Sequence, residues 1–548
     1  MTDLRNADPH RPFFLYFAPG ACHSPHQAPA SWLEHYRGRF DDGWDVWRER
    51  CFARQLELGV IPPTTELSER PEWVPPWDDL SLDEQRVAAR FMEAFAAMLS
   101  HTDQQVGRFV DFLAATGDLD NTVLMVLSDN GASSEGNVGG SLNDVRQWNG
   151  LGTSLREELE RIDEIGGPTI HNNYPWGWTM AGNTPFRRWK REVHEGGVAD
   201  PLIVHWPRGI SDPGSIRHQY CHAIDLLPTV LDACGVEAPT VLAGREQSPV
   251  EGTSLLGVLA DPAHAEVRTL QYYEMLGCRA LYRDGYKAVT YHPIHVPEPG
   301  LDDTRWELYD VRVDPSECHD LADAHPELLE EMVGVWWQEA EAHNVLPVDN
   351  RPFSDFTVAR PRSSPEQRVT VLRPSEGMIP EACAPDTKNR THAVTVTMVV
   401  GDRGASGVLA SQGSGLGGWV LYCDGDTVTW HLNVSSKRRT TVTGPAALGP
   451  GRHTVELRFD KTAELQGDVE LLVDDATVAT GAVDWNHATR MSMTGAGLTI
   501  GRADPYPVSD APAAGTRCRA TIETVVIAVD GPPGIDETAE VEAAIANQ

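Results

Sequence analysis

Apolar positions along this chain change their period several times, and each period predicts an element. From Leu82 to Ala115 they recur at Val87, Phe91, Phe95, Met98, Val106, Phe109, Val110 and Leu113, the spacing of one helical face. Gly117 supplies the stop, since glycine enters the left-handed conformation that closes helices. A strand over 122–127 follows, and Phe13-Phe14-Leu15-Tyr16-Phe17-Ala18 near the start predicts another; with the helix they make half of a β-α-β pattern. Helical spacing returns around Ala223 to Ala233 and Pro326 to Ala342. Trp44 to Trp77, rich in Trp and punctuated by Pro62-Pro63 and Pro75-Pro76, predicts irregular structure. Segment 133–182, rich in Gly, Asn and Trp, predicts loops that cover a site.

The texture changes after Leu346. Pro, Ser, Arg and Asp without periodicity predict a linker over 346–367. Beyond it, Val394 to Val400, Trp419 to Tyr422, Thr427 to Leu432, His453 to Phe459, Val469 to Asp474 and Ile522 to Val529 read as short strands between Gly- and Asp-containing turns, the pattern of a β-sandwich. The expected organisation is therefore an α/β region over 1–345, the linker, and an all-β sandwich over 368–548.

Composition narrows the partners. A formal net charge of −35 over 548 residues opposes nucleic acid or anionic lipid as a general ligand, and no apolar run approaches the roughly 20 residues of a membrane span. An anionic substrate stays open, because it needs only a local positive site. Nine scattered cysteines with no Cys-x-x-Cys pair do not resemble a disulfide framework, and they fit a reducing compartment. Met1 to Pro9 has no apolar core or cleavage site of a secretion signal, so the expected location is cytoplasmic.

The densest chemistry follows the strand 122–127. Asp129 and Asn130 enter a Gly-containing turn at its carboxyl end, where two hard oxygen donors can serve a divalent cation; Asp-Asn-Gly is equally ordinary turn chemistry. Cys22, His23 and His26 can be read as soft metal ligands, but Pro25 between the histidines rules out regular helical spacing.

Ala21-Cys22-His23-Ser24-Pro25-His26, the Asp129-Asn130-Gly131 turn, Asn183-Thr184-Pro185-Phe186 through Lys190 to Glu195-Gly196-Gly197, His222 to Thr229, Gly252 to Leu255, and Trp306 to Asp310 running into Asp314-Pro315 occur in this order. Together they resemble the type I sulfatases, particularly the bacterial arylsulfatases, of the alkaline phosphatase superfamily. The resemblance implies a partial alkaline-phosphatase-like core followed by a concanavalin-like jelly roll. It further implies a calcium ion (alternatively magnesium) held in part by Asp129 and Asn130, and catalytic contact with sulfate by His23 and Lys190. Arg187 and His194 are further candidate neighbours. The implied substrate is a small-molecule or glycan sulfate ester.

One departure governs this expectation. Sulfatases convert the Cys or Ser of a Cys/Ser-x-Pro-x-Arg element to formylglycine, the nucleophile, and no such element occurs in the sequence. Cys383-Ala384-Pro385-Asp386-Thr387 is the nearest match and ends in Thr. The early Asp-Asp metal pair and Lys-x-His pair of the family have no counterpart either. The resemblance thus implies a chain that begins inside the catalytic domain and lacks turnover. Two other readings stay open: a non-catalytic remnant used for glycan binding or assembly, and a phosphatase or phosphodiesterase of the same superfamily. For Trp419, Tyr422 and Trp430 the expectation is core packing rather than sugar stacking.

Overall fold

The computed structural model describes residues 2–8, 11–292, 304–349, 368–492 and 495–531. The helical stripe forms one helix, Leu82–Thr116, opened by a reciprocal Ser81–Glu84 capping box and closed by Gly117 at φ +75°. Val87, Phe91, Met92, Ala94 and Met98 are buried; beyond them the helix is half-exposed until Leu113. Its buried half packs on helices Ala30–His35 and Leu155–Glu160 and on a core holding Trp44, Trp77 and Trp178. The three indoles meet edge-on at 4.8–5.9 Å between centroids.

The Trp- and Pro-rich stretch is thus less irregular than expected, because Gly43–Leu58 is a helix within it. That helix carries Arg48, Glu49, Arg50, Arg54 and Gln55, so no apolar stripe announces it. Trp44 is fixed by contacts with residues more than 30 and 130 positions away. A Cβ on Gly43 would collide with the Trp77 ring.

The expected β-α-β unit is not formed among the described residues. β1 (Leu124–Leu127) pairs antiparallel with β2 (Leu202–His205), in the register Leu124↔His205 to Leu127↔Leu202, as a two-stranded sheet. Phe13 to Ala18 joins no ladder, and Phe14 and Tyr16 are 79% and 82% exposed. Apolar character alone does not make a strand; its N–H and C=O groups need a neighbour. Val126, Leu127 and Ile203 also face outward.

A four-stranded antiparallel meander follows: Leu270–Met275, Cys278–Arg283, Tyr286–Thr290 and Trp306–Asp310. Helix Pro326–Ala342 covers it, with Trp336 fully buried and its indole N–H on the Tyr273 carbonyl at 3.0 Å.

The last region is a sandwich of a six-stranded and a five-stranded antiparallel sheet. Strand His392–Val400 sits inside the first, bonded on one side to Gly451–Ala463 and on the other to Thr521–Val529. Its alternation sends Val394, Val396, Met398 and Val400 inward against Val455, Leu457, Val525 and Ile527. Trp419 and Trp430 lie in this core, and Tyr422 packs on the opposite face of its sheet under Val508, Ala513 and Ala514. The expectation of core packing holds for all three aromatics.

Segment 141–151 reaches across to the sandwich. Asn143 donates to the Leu416 carbonyl at 2.9 Å and Arg146 Nε to the Ser435 carbonyl at 3.0 Å. Asn149 is fully buried: its amide donates to Ser435 Oγ and the Arg490 carbonyl, its Oδ1 accepts from Ala488 N, and its carbonyl accepts the Trp485 indole. Leu151 lies in the sandwich core. This part of the expected covering loops is therefore a docking element. Of the expected linker, 350–367 lies outside the described residues.

Candidate active site

The turn after β1 is built against the Asn183–Gly197 block, and glycine lets the two approach. Gly131 N donates to the Gly197 carbonyl, and a Cβ on Gly131 would collide with the Gly196 carbonyl oxygen. Asn183 fastens the assembly: its Oδ1 accepts from Ala132 N at 2.8 Å, and its amide donates to the Gly196 carbonyl at 2.6 Å and the Arg188 carbonyl at 2.8 Å. Lys190 N donates in turn to the Ala132 carbonyl. The Asp129-Asn130 turn and the Lys190 segment are thereby one unit.

Glu135, on the same loop, gathers the cations. Its Oε1 accepts from Arg191 at 2.6 Å; its Oε2 accepts from Ser133 at 3.1 Å and Lys190 Nζ at 3.4 Å, with His23 Nε2 at 3.7 Å. Burial raises this carboxyl, but Arg191 and then Lys190 outweigh burial and hold it below the usual carboxylate range. His23 and Lys190, 167 positions apart, are thus brought to one point. His23 Nδ1 lies 2.8 Å from the Ser24 carbonyl, which only accepts, so Nδ1 carries the proton and Nε2 faces the site.

Behind His23 the chain is pinned by polar contacts. Ser24 Oγ donates to Asp144 Oδ2 at 2.6 Å and lies 2.9 Å from the Asn172 carbonyl. Burial pushes the Asp144 carboxyl up to about 7 and holds His26 and His171 neutral, at about 3 and about 4. His26 stacks on Tyr174 and meets Phe95 edge-on, so it is a packed core histidine.

Arg187 and His194 turn away from Glu135. Arg187 donates to Tyr309 Oη at 2.8 Å, and His194, kept neutral by burial at about 4, lies 3.1 Å from Glu307 Oε2. Both tie the block to the meander, as does buried Lys287, bonded to Glu195 at 2.5 Å and near Glu317 at 3.4 Å. Asn183 opens a motif legible in the sequence, but its role as the fastener is not; Glu135 and Arg191 sit within a few residues of such motifs, and nothing local says that they meet.

Asp129 is exposed and Asn130 half-buried. Asp200 lies close enough that burial, then Asp129, then Glu195 push its carboxyl up to about 7. Among the described residues no group of three or more His, Cys, Asp or Glu side chains has the spacing to hold a metal ion. Calcium takes about six to eight oxygens and magnesium about six. Asp129 and Asn130 are donors of the right type and too few to hold either ion alone.

Residues 1–236 match the sulfatase family model, and residues 187–334 match the model for the carboxyl-terminal part of N-sulphoglucosamine sulphohydrolase. Residues 1–236 therefore carry a sulfatase-family domain. An uncharacterized sulfatase of Schizosaccharomyces pombe is 31% identical over 363 residues, 64% of this chain and 62% of that protein. The arylsulfatase of Klebsiella aerogenes is 29% identical over 251 residues, 45% of this chain and 52% of the relative. The chain thus spans between half and two thirds of the length of these two curated relatives. Among solved structures, a sulfatase from Pseudoalteromonas sp. is 20% identical, with a TM-score of 0.29 over 46% of this chain and 43% of that one. Sulfatases are metal-dependent as a family.

Proposed function

We propose that the cluster around Glu135 is the sulfate-ester site of an arylsulfatase-type hydrolase, acting on a small-molecule or glycan sulfate. The observation that carries this reading is the convergence of His23, Lys190 and Arg191 beside the Asp129-Asn130 turn. In the reaction the bond from sulfur to the leaving oxygen breaks, an oxygen of water ends on sulfur, and the leaving oxygen takes a proton. Lys190 and Arg191 offset charge on the sulfuryl oxygens. His23 Nε2 is the group placed to pass a proton to the leaving oxygen, while the Ser24 carbonyl fixes the ring. The name of the Klebsiella relative supports the same class.

The residues that hold the nucleophile in the family have no counterpart in this sequence, so binding and turnover separate. Titration of 4-nitrophenyl sulfate into the purified protein should perturb the His23 ring resonances, and Lys190→Ala should remove that response; an unchanged response in Lys190→Ala sinks the reading. Release of 4-nitrophenol should not exceed a blank, because removal of a nucleophile leaves only residual acceleration. Turnover that Asp129→Ala abolishes would show that another group of this chain supplies the attack.

A further inference from the structure

We infer that Glu135 is an internal counter-ion occupying the sulfate cradle, and that it sets which anions enter. The inference rests on the sulfate-ester reading of the site and adds a residue that this reading does not supply.

The geometry is that of a bound anion. A carboxylate presents two oxygens: one takes Arg191 at 2.6 Å, and the other takes Lys190 at 3.4 Å with His23 at 3.7 Å. These are the side chains whose task is to hold sulfuryl oxygens. Glu135, Lys190 and Arg191 are only 23%, 20% and 18% exposed, so their attraction is less screened than that of a surface pair. An incoming sulfate group has two courses, to lie beside an ionised carboxylate at the cost of like-charge repulsion or to displace it from its cations. Either course makes entry a competition, which a weakly charged or poorly fitting anion loses.

The backbone holds still while the side chain competes. Glu135 N donates to Ser133 Oγ, and a Cβ on the next residue, Gly136, would collide with the Tyr174 carbonyl oxygen. Trp176 Nε1 donates to the Ser134 carbonyl at 2.7 Å, and Thr179 Oγ1 to the Ser133 carbonyl at 2.7 Å. Displacement therefore falls to rotation of the Glu135 side chain about its own bonds, within a loop fixed on both sides.

The test is titration of inorganic sulfate into the full chain at low ionic strength, followed by calorimetry and by the His23 resonances. Glu135→Gln keeps the shape and removes the charge; sulfate should bind at least tenfold tighter, and acetate and chloride, weak in the wild type, should become detectable. Glu135→Asp, which withdraws the carboxylate from the cations, should fall between the two. Sulfate affinity that is unchanged or weaker in both variants, with melting temperatures near wild type, overturns the inference and makes Glu135 a positioning residue. If Lys190→Ala leaves sulfate binding intact in the wild-type and Glu135→Gln backgrounds alike, the sulfate-site reading itself has failed and this inference with it.

Discussion

Two strands of this molecule fare differently, and the less apolar of them is the better buried. His392–Val400 has a bonded neighbour on each side and buries Val394, Val396 and Met398 completely. Among the described residues β1 has one bonded neighbour, and its Val126 and Leu127 are 37% and 46% exposed. The stretch Phe13 to Phe17, apolar throughout, joins no ladder among the described residues. Burial follows the completeness of the sheet rather than the hydrophobicity of the strand, because backbone polar groups must be paired before side chains can be enclosed.

Dissection should exaggerate this contrast most. Residues 368–531 alone should be soluble and melt cooperatively, and residues 1–345 should aggregate or bind a hydrophobic dye, since Phe14, Tyr16, Leu127 and Ile203 present apolar surface. A sharp, reversible melt of the 1–345 fragment without dye binding would show that the two regions do not differ in self-sufficiency.

The seam is the next place to strain the comparison. Asn149→Ala leaves several buried partners unsatisfied, and Leu151→Ala opens a cavity in the sandwich core; each should cost about 2–5 kcal/mol in urea unfolding of the full chain. A loss below ~0.5 kcal/mol for both would mean that the docking segment is incidental to the sandwich.

Acid should act differently on the two regions. Burial holds His392 and His487 of the sandwich at about 4, below the unfolded value near 6.5. The unfolded chain takes up these protons first, so their contribution is complete above pH ~6.5 and is lost as pH falls toward 4, by up to about 3 kcal/mol each. His26, His171 and His194 act likewise in the amino-terminal region. There, however, burial raises Asp144, Glu192 and Asp200 to about 7 and Glu158 to about 8. A raised carboxyl is protonated in the folded chain before the unfolded one, so it adds stability as pH falls from about 7 toward 4. Between pH 7 and 5, amide exchange should lose protection in strand His392–Val400 and change less around Asp144 and Glu192. Parallel losses in both regions would show that the raised carboxyls do not offset the histidines.

The smallest effect belongs to the unpaired stretch. Phe14→Ala should alter stability by less than ~0.5 kcal/mol, whereas Val396→Ala should cost more than 1 kcal/mol. A cost above 1 kcal/mol for Phe14→Ala would mean that this aromatic is packed in solution.

Local patterns carried much of the fold. The period of Leu82–Thr116 and the Gly117 stop are properties of one segment, and so is the alternation of the sandwich strands. Where the reading failed, the deciding contact was remote: helix Gly43–Leu58 has no apolar stripe and is fixed by Trp77 and Trp178. The candidate site divides in the same way. Motifs placed His23, Asp129, Asn130 and Lys190, and no local signal marked Glu135.

By itself the sequence determined the residue types offered for the candidate site, the order of the motifs and the two kinds of secondary structure, because each rests on spacing within a few residues. Only the tertiary structure decided that Glu135 sits among Lys190, Arg191 and His23, that Arg187 and His194 serve the meander, and that Asn149 and Leu151 belong to the sandwich. Those outcomes depend on which distant segments share a buried space, where charge and hydrogen-bonding groups must find partners whatever their separation along the chain.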